Sequence, residues 1–536
     1  MANGNLSPHQ TEEGKPSEAG FHFAQHLLHW AADHADRLYP ASFARPIHTV
    51  GIVGAGMTGS RITLLVRRAG WNWVVVDPQA EALERLGSLL AETPPSAPAA
   101  DSASNVFLAS QVPLPCSASV DAQEPWVNFS QELSPLAKCD LVLECVPEKV
   151  RIKQELFHEA ESYLSEGAVL ATNTSTIPLA RLAEGVRVPA RFCGIHFFMP
   201  IPLRPVVEVV RGSQSSGQTI STAVAFIRRL GLTPLVVEDG PGFLGNRLLF
   251  VWFNEALQLL EEGYMPEEID GQAVEFGWAM GPFALMDWIG LDVVLAGAWE
   301  LAGMFEERLV RSSVLVTLVK KGYLGRKTGL GFYRYDFQST EAPLEPSPRI
   351  WPNPEVVGLL AKTSRNGGVG QARGCPSMPP IKPVGGMDSA GGLSPADRGL
   401  ASVPGKSDPE NQPRSSRVVP SDGILKSPTI GSSYGESSSM DRLHIAMLVE
   451  AVQLIEEGRV KDPREVDLVL VWGLGFPASR GGLLAWADHR GLLSLLQGGE
   501  YWKTSTFLHH FAYQRLWERA HIQTMFYPNR PERLGG

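Results

Sequence analysis

His196 and Glu208 stand twelve residues apart in two apolar runs, Gly194-Ile-His-Phe-Phe-Met-Pro200 and Val206-Val-Glu-Val-Val210. Histidine is the side chain whose ordinary pKa lies near neutrality. It can take the proton of an alcohol as hydride leaves the same carbon, and a carboxylate beside it can orient the ring and stabilise its charged form. Upstream, Asn173-Thr-Ser-Thr-Ile-Pro178 puts an amide and hydroxyls at the end of another short β-run, where open α/β sheets place ligands. A lone histidine in an apolar strand is more often structural, and a lone glutamate in a β-run usually lies at the surface. The pair alone therefore names a chemistry without establishing it.

A second constellation specifies a ligand. Thr49 to Val53 is β-rich and runs into Gly54-Ala-Gly56-Met-Thr-Gly59, a helical pattern and then Trp73-Val-Val-Val76-Asp77. Strand, glycine turn, helix and strand form one βαβ unit. In it the three glycines allow a tight turn, a close backbone approach and tight helix packing, so that a pyrophosphate can rest on the helix N-terminus. Asp77 closes the second strand, where a carboxylate accepts from adenosine ribose hydroxyls and repels a 2′-phosphate. NAD is expected in preference to NADP.

With these residues in hand, the order NTS, HFF-x-P, VVEVV, PGF-x-x-NR resembles the L-3-hydroxyacyl-CoA dehydrogenase family. The intervals from Ser175 to His196 (21 residues), His196 to Glu208 (12) and Glu208 to Asn246 (38) look like the family's own. The resemblance implies a substrate-binding role for Ser175 and Asn246, a catalytic role for His196 with Glu208 as its partner, a place for Glu148 near the cofactor ribose, and a place for Lys153 near CoA. It implies oxidation of an L-3-hydroxyacyl-CoA to the 3-oxoacyl-CoA, as in fatty-acid β-oxidation. It extends through Met280-Gly-Pro282 and Gly329-Leu-Gly-Phe-Tyr333. Met199 stands where the family usually has Asn, and the stretch from Asp77 to Cys139 matches poorly. The alternatives are a non-catalytic nucleotide-binding or scaffolding homologue, and a dehydrogenase of a sugar acid or a free 3-hydroxy acid. Phe197-Phe198 and Lys153 favour a CoA ester.

The elements that must hold these residues form an α/β chain: a Rossmann-type, doubly wound parallel sheet followed by two related all-α domains. The expected divisions are an N-terminal extension with an amphipathic helix (1–46), the NAD-binding domain (47–238), a first helical domain (239–337), a disordered Pro/Gly/Ser-rich linker (338–437) and a second helical domain (438–536). Residues 93–124 read as a surface excursion, and 354–363 as a short helix inside the linker. The two helical domains follow from a repeat: Glu255-Ala-Leu-Gln-Leu-Leu-Glu-Glu-Gly263 returns 195 residues later as Glu450-Ala-Val-Gln-Leu-Ile-Glu-Glu-Gly458. Asp441 then falls opposite Asn246, without a preceding Pro-Gly, so the second copy is expected to pack on the first without forming a site. It resembles the extra C-terminal domain of multifunctional fatty-acid oxidation enzymes. A monomer with an internal pseudo-dimer of helical domains follows.

Composition narrows the class further. The 536 residues carry a formal charge of −10 and no long basic block, which argues against nucleic acid or an anionic membrane as partner. Five cysteines without paired spacing suggest a reducing compartment and no metal site. The polar N-terminus has no signal-peptide core and no apolar run reaches membrane length, so a cytoplasmic location is expected.

Overall fold

A computed structural model describes residues 18–93, 127–305, 312–336, 349–356, 358–360, 439–497, 505, 508, 511–522 and 524–527. The Val- and Leu-rich runs form eight strands: β1 (Thr49–Val53), β2 (Asn72–Val76), β3 (Val127–Ser130), β4 (Leu141–Glu144), β5 (Val169–Thr172), β6 (Phe192–Phe197), β7 (Val206–Arg211) and β8 (Thr233–Glu238). They build one sheet in the order β3-β2-β1-β4-β5-β6-β7-β8. The order reverses between β1 and β4, so their C-terminal ends open the crevice where such sheets bind ligands. Alternate residues serve opposite faces: Val50, Ile52 and Val75 join one apolar cluster, and Val53, Val74 and Val76 the other.

The expectation of a parallel sheet needs one correction. β6 and β7 pair antiparallel, and β8, parallel to β7, is reversed with it. The reason is length: residues 198–205 join β6 to β7, and a parallel crossover needs a dozen or more. β3 and β8 are strands that the sequence pattern had not singled out. Helices α1 (Glu18–Leu38), α2 (Met57–Arg68), α3 (Ala80–Glu92), α4 (Val150–Ala160) and α5 (Gly217–Arg229) accompany the sheet.

Helices α6 (Gly245–Glu261), α7 (Pro266–Phe276), α8 (Pro282–Ile289), α9 (Leu291–Phe305) and α10 (Ser313–Lys320) form the first helical copy. The second comprises α11 (Ser439–Glu456), α12 (Pro463–Leu468), a π-helical segment (Val469–Leu474), α13 (Leu483–Arg490), α14 (Leu492–Gln497) and α15 (Phe511–His521). The two copies meet through α6 and α11 by reciprocal ion pairs. Arg247 engages Glu450 and, at 2.8 and 3.0 Å, Glu457; Arg442 engages Glu255 and, at 2.6 and 2.8 Å, Glu262. Each residue of one set is the 195-residue image of its counterpart in the other, the signature of a self-complementary two-fold contact written into one chain.

The likeness reaches deeper than the repeated nonapeptide. In the first copy Asp270 accepts from the amides of Phe283 and Ala284 and the hydroxyl of Tyr333; in the second Asp467 accepts from Leu484, Ala485 and the Tyr527 hydroxyl. Asp287 accepts from the amides of Phe332 and Tyr333, and Asp488 from those of Phe526 and Tyr527. Helix α1 links the second copy to the sheet domain: the Trp472 indole donates to Ala24, Arg464 stacks on Trp30, and Arg228 of α5 bonds Asp36.

Part of the expected linker is structured. Arg349–Pro352 forms strand β10, antiparallel to β9 (Tyr333–Asp336), and the helical residues beyond it bury Val356 and Leu360. The apolar side chains there supply what the surrounding composition lacks. The rest of the linker, and the excursion after Thr93 as far as Pro125, lie outside the described residues. Among the described residues no single helix is long and apolar enough to cross a membrane.

Candidate active site

The glycine turn leaves β1 at Gly54, whose φ of 106° lies in the region that favours glycine, and a Cβ there would stand 2.7 Å from the Cys145 carbonyl oxygen. At Gly59 a Cβ would fall 1.9 Å from the Gly54 oxygen, so helix α2 can start this close to the turn only without a side chain. At Gly56 nothing lies within 4 Å of a Cβ position, which leaves bare backbone facing open space at the start of α2. That is the cradle a pyrophosphate requires. The Asp77 carboxylate accepts from the Ala55 amide at 2.8 Å and the Gln79 amide at 2.9 Å, fixing itself beside the turn with acceptor capacity to spare.

His196 on β6 and Glu208 on β7 are directly opposed in the antiparallel ladder. Both are buried, and His196 Nδ1 is 2.6 Å from Glu208 Oε2. A carboxylate only accepts, so Nδ1 is the donor of this pair, and the neutral form of the imidazole then carries its lone pair on Nε2. The other oxygen, Oε1, accepts from the amides of Gly245 at 2.9 Å and Leu244 at 3.2 Å, at the positive end of α6. The glutamate thus ties the histidine to the first helical copy. Phe198 and Phe243 flank the imidazole, with ring centroids at 4.9 and 5.9 Å.

Asn246, in the first turn of α6, donates from Nδ2 to the Ser175 carbonyl at 2.7 Å, which brings the two residues together at the domain junction. Glu148 holds the same loop from below: its Oε1 accepts from the Thr174 hydroxyl at 2.6 Å and from the amides of Ser175 and Thr176 at 2.8 and 3.2 Å. Burial pushes the Glu148 carboxyl up, but the Lys153 ammonium and these hydrogen bonds outweigh it and hold it below the usual range.

Lys153 is buried beneath the same loop, paired with Glu144 and Glu148. Its side chain is 1% exposed, with Nζ 2.7 Å from Glu144 and 3.2 Å from Glu148. Helical Cα–Cβ bonds tilt toward the N-terminus, so a residue in the first turn of α4 points back beneath the β4–α4 loop instead of outward. Burial disfavours its charge, yet the two carboxylates prevail and its pKa is raised.

Two further groups tie these loops together: Asn173, which the sequence places at a strand end without this role, and Asp239, which it does not single out. Asn173 Oδ1 accepts from the Phe197 amide at 3.0 Å, which links the ends of β5 and β6 next to the histidine. Asp239 accepts from the amides of Leu179 and Ala180 at 2.7 and 2.8 Å. Its place directly before Gly-Pro-Gly-Phe was the only available signal.

The family model for the NAD-binding domain of 3-hydroxyacyl-CoA dehydrogenase matches residues 49–240, and that for the C-terminal domain matches residues 242–335. Among solved structures, the (S)-3-hydroxybutyryl-CoA dehydrogenase of Ralstonia eutropha is 34% identical over 54% of this chain and 100% of its own, with a TM-score of 0.47. The 3-hydroxybutyryl-CoA dehydrogenase of Escherichia coli K12 is 22% identical, covers 90% of this chain and 99% of its own, and superposes with a TM-score of 0.58, a likeness of fold that takes in both helical copies. With two consecutive domain matches spanning more than half of its length, this chain belongs to the 3-hydroxyacyl-CoA dehydrogenase family of NAD-dependent oxidoreductases.

Proposed function

We propose that the protein oxidises the C3 hydroxyl of an L-3-hydroxyacyl-CoA to the 3-oxoacyl-CoA, reversibly, in the manner of fatty-acid β-oxidation. The observation that carries this reading is the convergence at one helix start: Glu208, hydrogen-bonded to His196, accepts from Gly245, and the next residue, Asn246, reaches Ser175. Bound NAD, held by Gly54, Gly56, Gly59, Asp77 and Glu148, supplies the nicotinamide that exchanges hydride with the substrate.

His196 Nε2 accepts the C3 hydroxyl proton as general base. Glu208 keeps Nδ1 hydrogen-bonded throughout, so the lone pair points in one direction and the imidazolium formed has a compensating charge 2.6 Å away. Ser175 and Asn246 bond the C3 oxygen and the thioester region. Because Asn246 and the groups anchoring Glu208 belong to the helical copy, the site is completed only when the two domains are in register.

The deciding experiment follows NADH absorbance with acetoacetyl-CoA, a longer 3-oxoacyl-CoA and free acetoacetate. Oxidation of NADH with the CoA esters, and not with the free acid, is expected. The burial of Lys153 removes one reason for preferring a CoA ester, so the free acid belongs in the comparison; turnover with it alone, or with none of the three, overturns the proposal.

A further inference from the structure

Phe198, the residue after β6, is clasped between the two helical copies. A Cβ on Gly245 at the start of α6 would lie 2.7 Å from Cε1 and Cζ of its ring, and a Cβ on Gly473 in the π-helical segment of the second copy would lie 3.0 Å from Cδ2 and Cε2. The ring is 5% exposed and stands edge-on to the His196 imidazole, with centroids 4.9 Å apart and an interplanar angle of 64°. Two residues further along the second copy, a Cβ on Gly475 would lie 2.8 and 2.9 Å from the guanidinium nitrogens of Arg204, in the same β6–β7 loop.

Resting on the role assigned to His196 above, we propose that Gly473 is a positioning residue for the reaction: the second helical copy, which contributes no group to the chemistry, sets the attitude of His196 through Phe198. Glycine weakens a helix interior, and a π-helical turn is a rare local form, frequent at functional sites. Both features serve a close approach, since a side chain at 473 would crowd the Phe198 ring. Interiors are close-packed, so a methyl group inserted at 473 presses the ring by a few tenths of an ångström, and the ring stands edge-on to the His196 imidazole. Glu208 fixes the imidazole at one nitrogen, and Phe198 fixes its tilt about that bond.

The test uses the full chain with Gly473→Ala and Gly473→Val, and Gly271→Ala as control, since a Cβ at 271 meets nothing within 4 Å. Displacements of a few tenths of an ångström to an ångström at a catalytic base lower kcat by about fivefold for alanine and about fiftyfold for valine, with NADH affinity changed by less than about twofold. The His196 imidazole resonance in labelled protein, assigned by its disappearance in His196→Gln, is expected to shift in Gly473→Ala and to stay in place in Gly271→Ala. A glycine that serves packing alone would give a lower Tm with kcat per folded enzyme and the His196 resonance unchanged, and that result overturns the proposal. If Gly473→Val does not fold, Gly473→Ala carries the decision. If the unmodified enzyme turns over no 3-oxoacyl-CoA, the functional reading fails on its own, and the resonance still decides whether Gly473 positions His196.

Discussion

Glu208 lies directly across the β6–β7 ladder from His196, with Oε2 2.6 Å from Nδ1. His196→Gln removes the proton acceptor and is expected to lower oxidation by roughly two to four orders of magnitude while NADH binding persists. Glu208→Gln acts in the same direction and also weakens the hydrogen bonds to Gly245 and Leu244, so it should raise the KM for acyl-CoA as well. Steady-state kinetics of both variants, with NADH titrations, check this; near-normal turnover in His196→Gln rules the mechanism out.

Cofactor choice rests on Asp77, whose carboxylate is fixed by the Ala55 and Gln79 amides beside the glycine turn. A phosphate brought to that carboxylate meets like charge, so NADH is expected to exceed NADPH in kcat/KM by about tenfold or more. Asp77→Ser should narrow the ratio, mainly by improving NADPH. Equal use of the two cofactors by the unaltered enzyme would remove Asp77 from the assignment.

The reciprocal ion pairs make a prediction about assembly. Arg247 and Arg442 are both nearly fully buried, and removing either takes the guanidinium away from a buried carboxylate of the other copy, Glu450 or Glu255, a loss of about 3 to 5 kcal/mol. Arg247→Met and Arg442→Met should each lower the unfolding free energy by that order in denaturant titrations. The complete chain satisfies this interface internally and is expected to sediment as a monomer. A form ending at Thr363 keeps strand β10 but loses α11, and should dimerise or aggregate. A dimeric full-length chain beside a soluble, monomeric short form would refute the pseudo-dimer.

His444 supplies a pH dependence. Its Nε2 accepts from the Trp278 indole at 3.2 Å, and the rings of Phe276, Phe476 and Trp486 surround it. Burial, and then the Arg480 charge, push its pKa from 6.5 down to about 3. Below pH 6.5 the unfolded chain takes up a proton that the folded chain refuses, so stability is lost as pH falls from 6.5 toward 3, by about 1.4 kcal/mol per unit within that window. Unfolding titrations at successive pH values should show this slope reduced in His444→Phe relative to the unaltered protein. Parallel pH profiles would mean that His444 is not held neutral.

The glycine turn and the opposition of His196 and Glu208 were legible in the sequence because their determinants are local or periodic. A strand, three glycines, a helix and an acidic residue at the next strand end need only their own spacing. His196 and Glu208 are twelve residues apart because a short hairpin brings them face to face. The repeat was legible for a different reason: two copies built to pair with each other must keep the same apolar face and the same carboxylates, so Glu255 and Glu262 return as Glu450 and Glu457.

What only the tertiary structure decided are contacts between segments with no pattern in common. The direction in which Lys153 points, and hence its burial against Glu144 and Glu148, depends on how α4 lies against β4. The pairing of Tyr527 with Asp467, as Tyr333 pairs with Asp270, spans loops of unequal length that no fixed offset finds. The clasp of Gly245 and Gly473 on Phe198 joins residues from three separate elements. A glycine leaves no periodic trace of what approaches it, since its contribution is the space left by a missing side chain, and the chain that fills that space comes from elsewhere in the sequence.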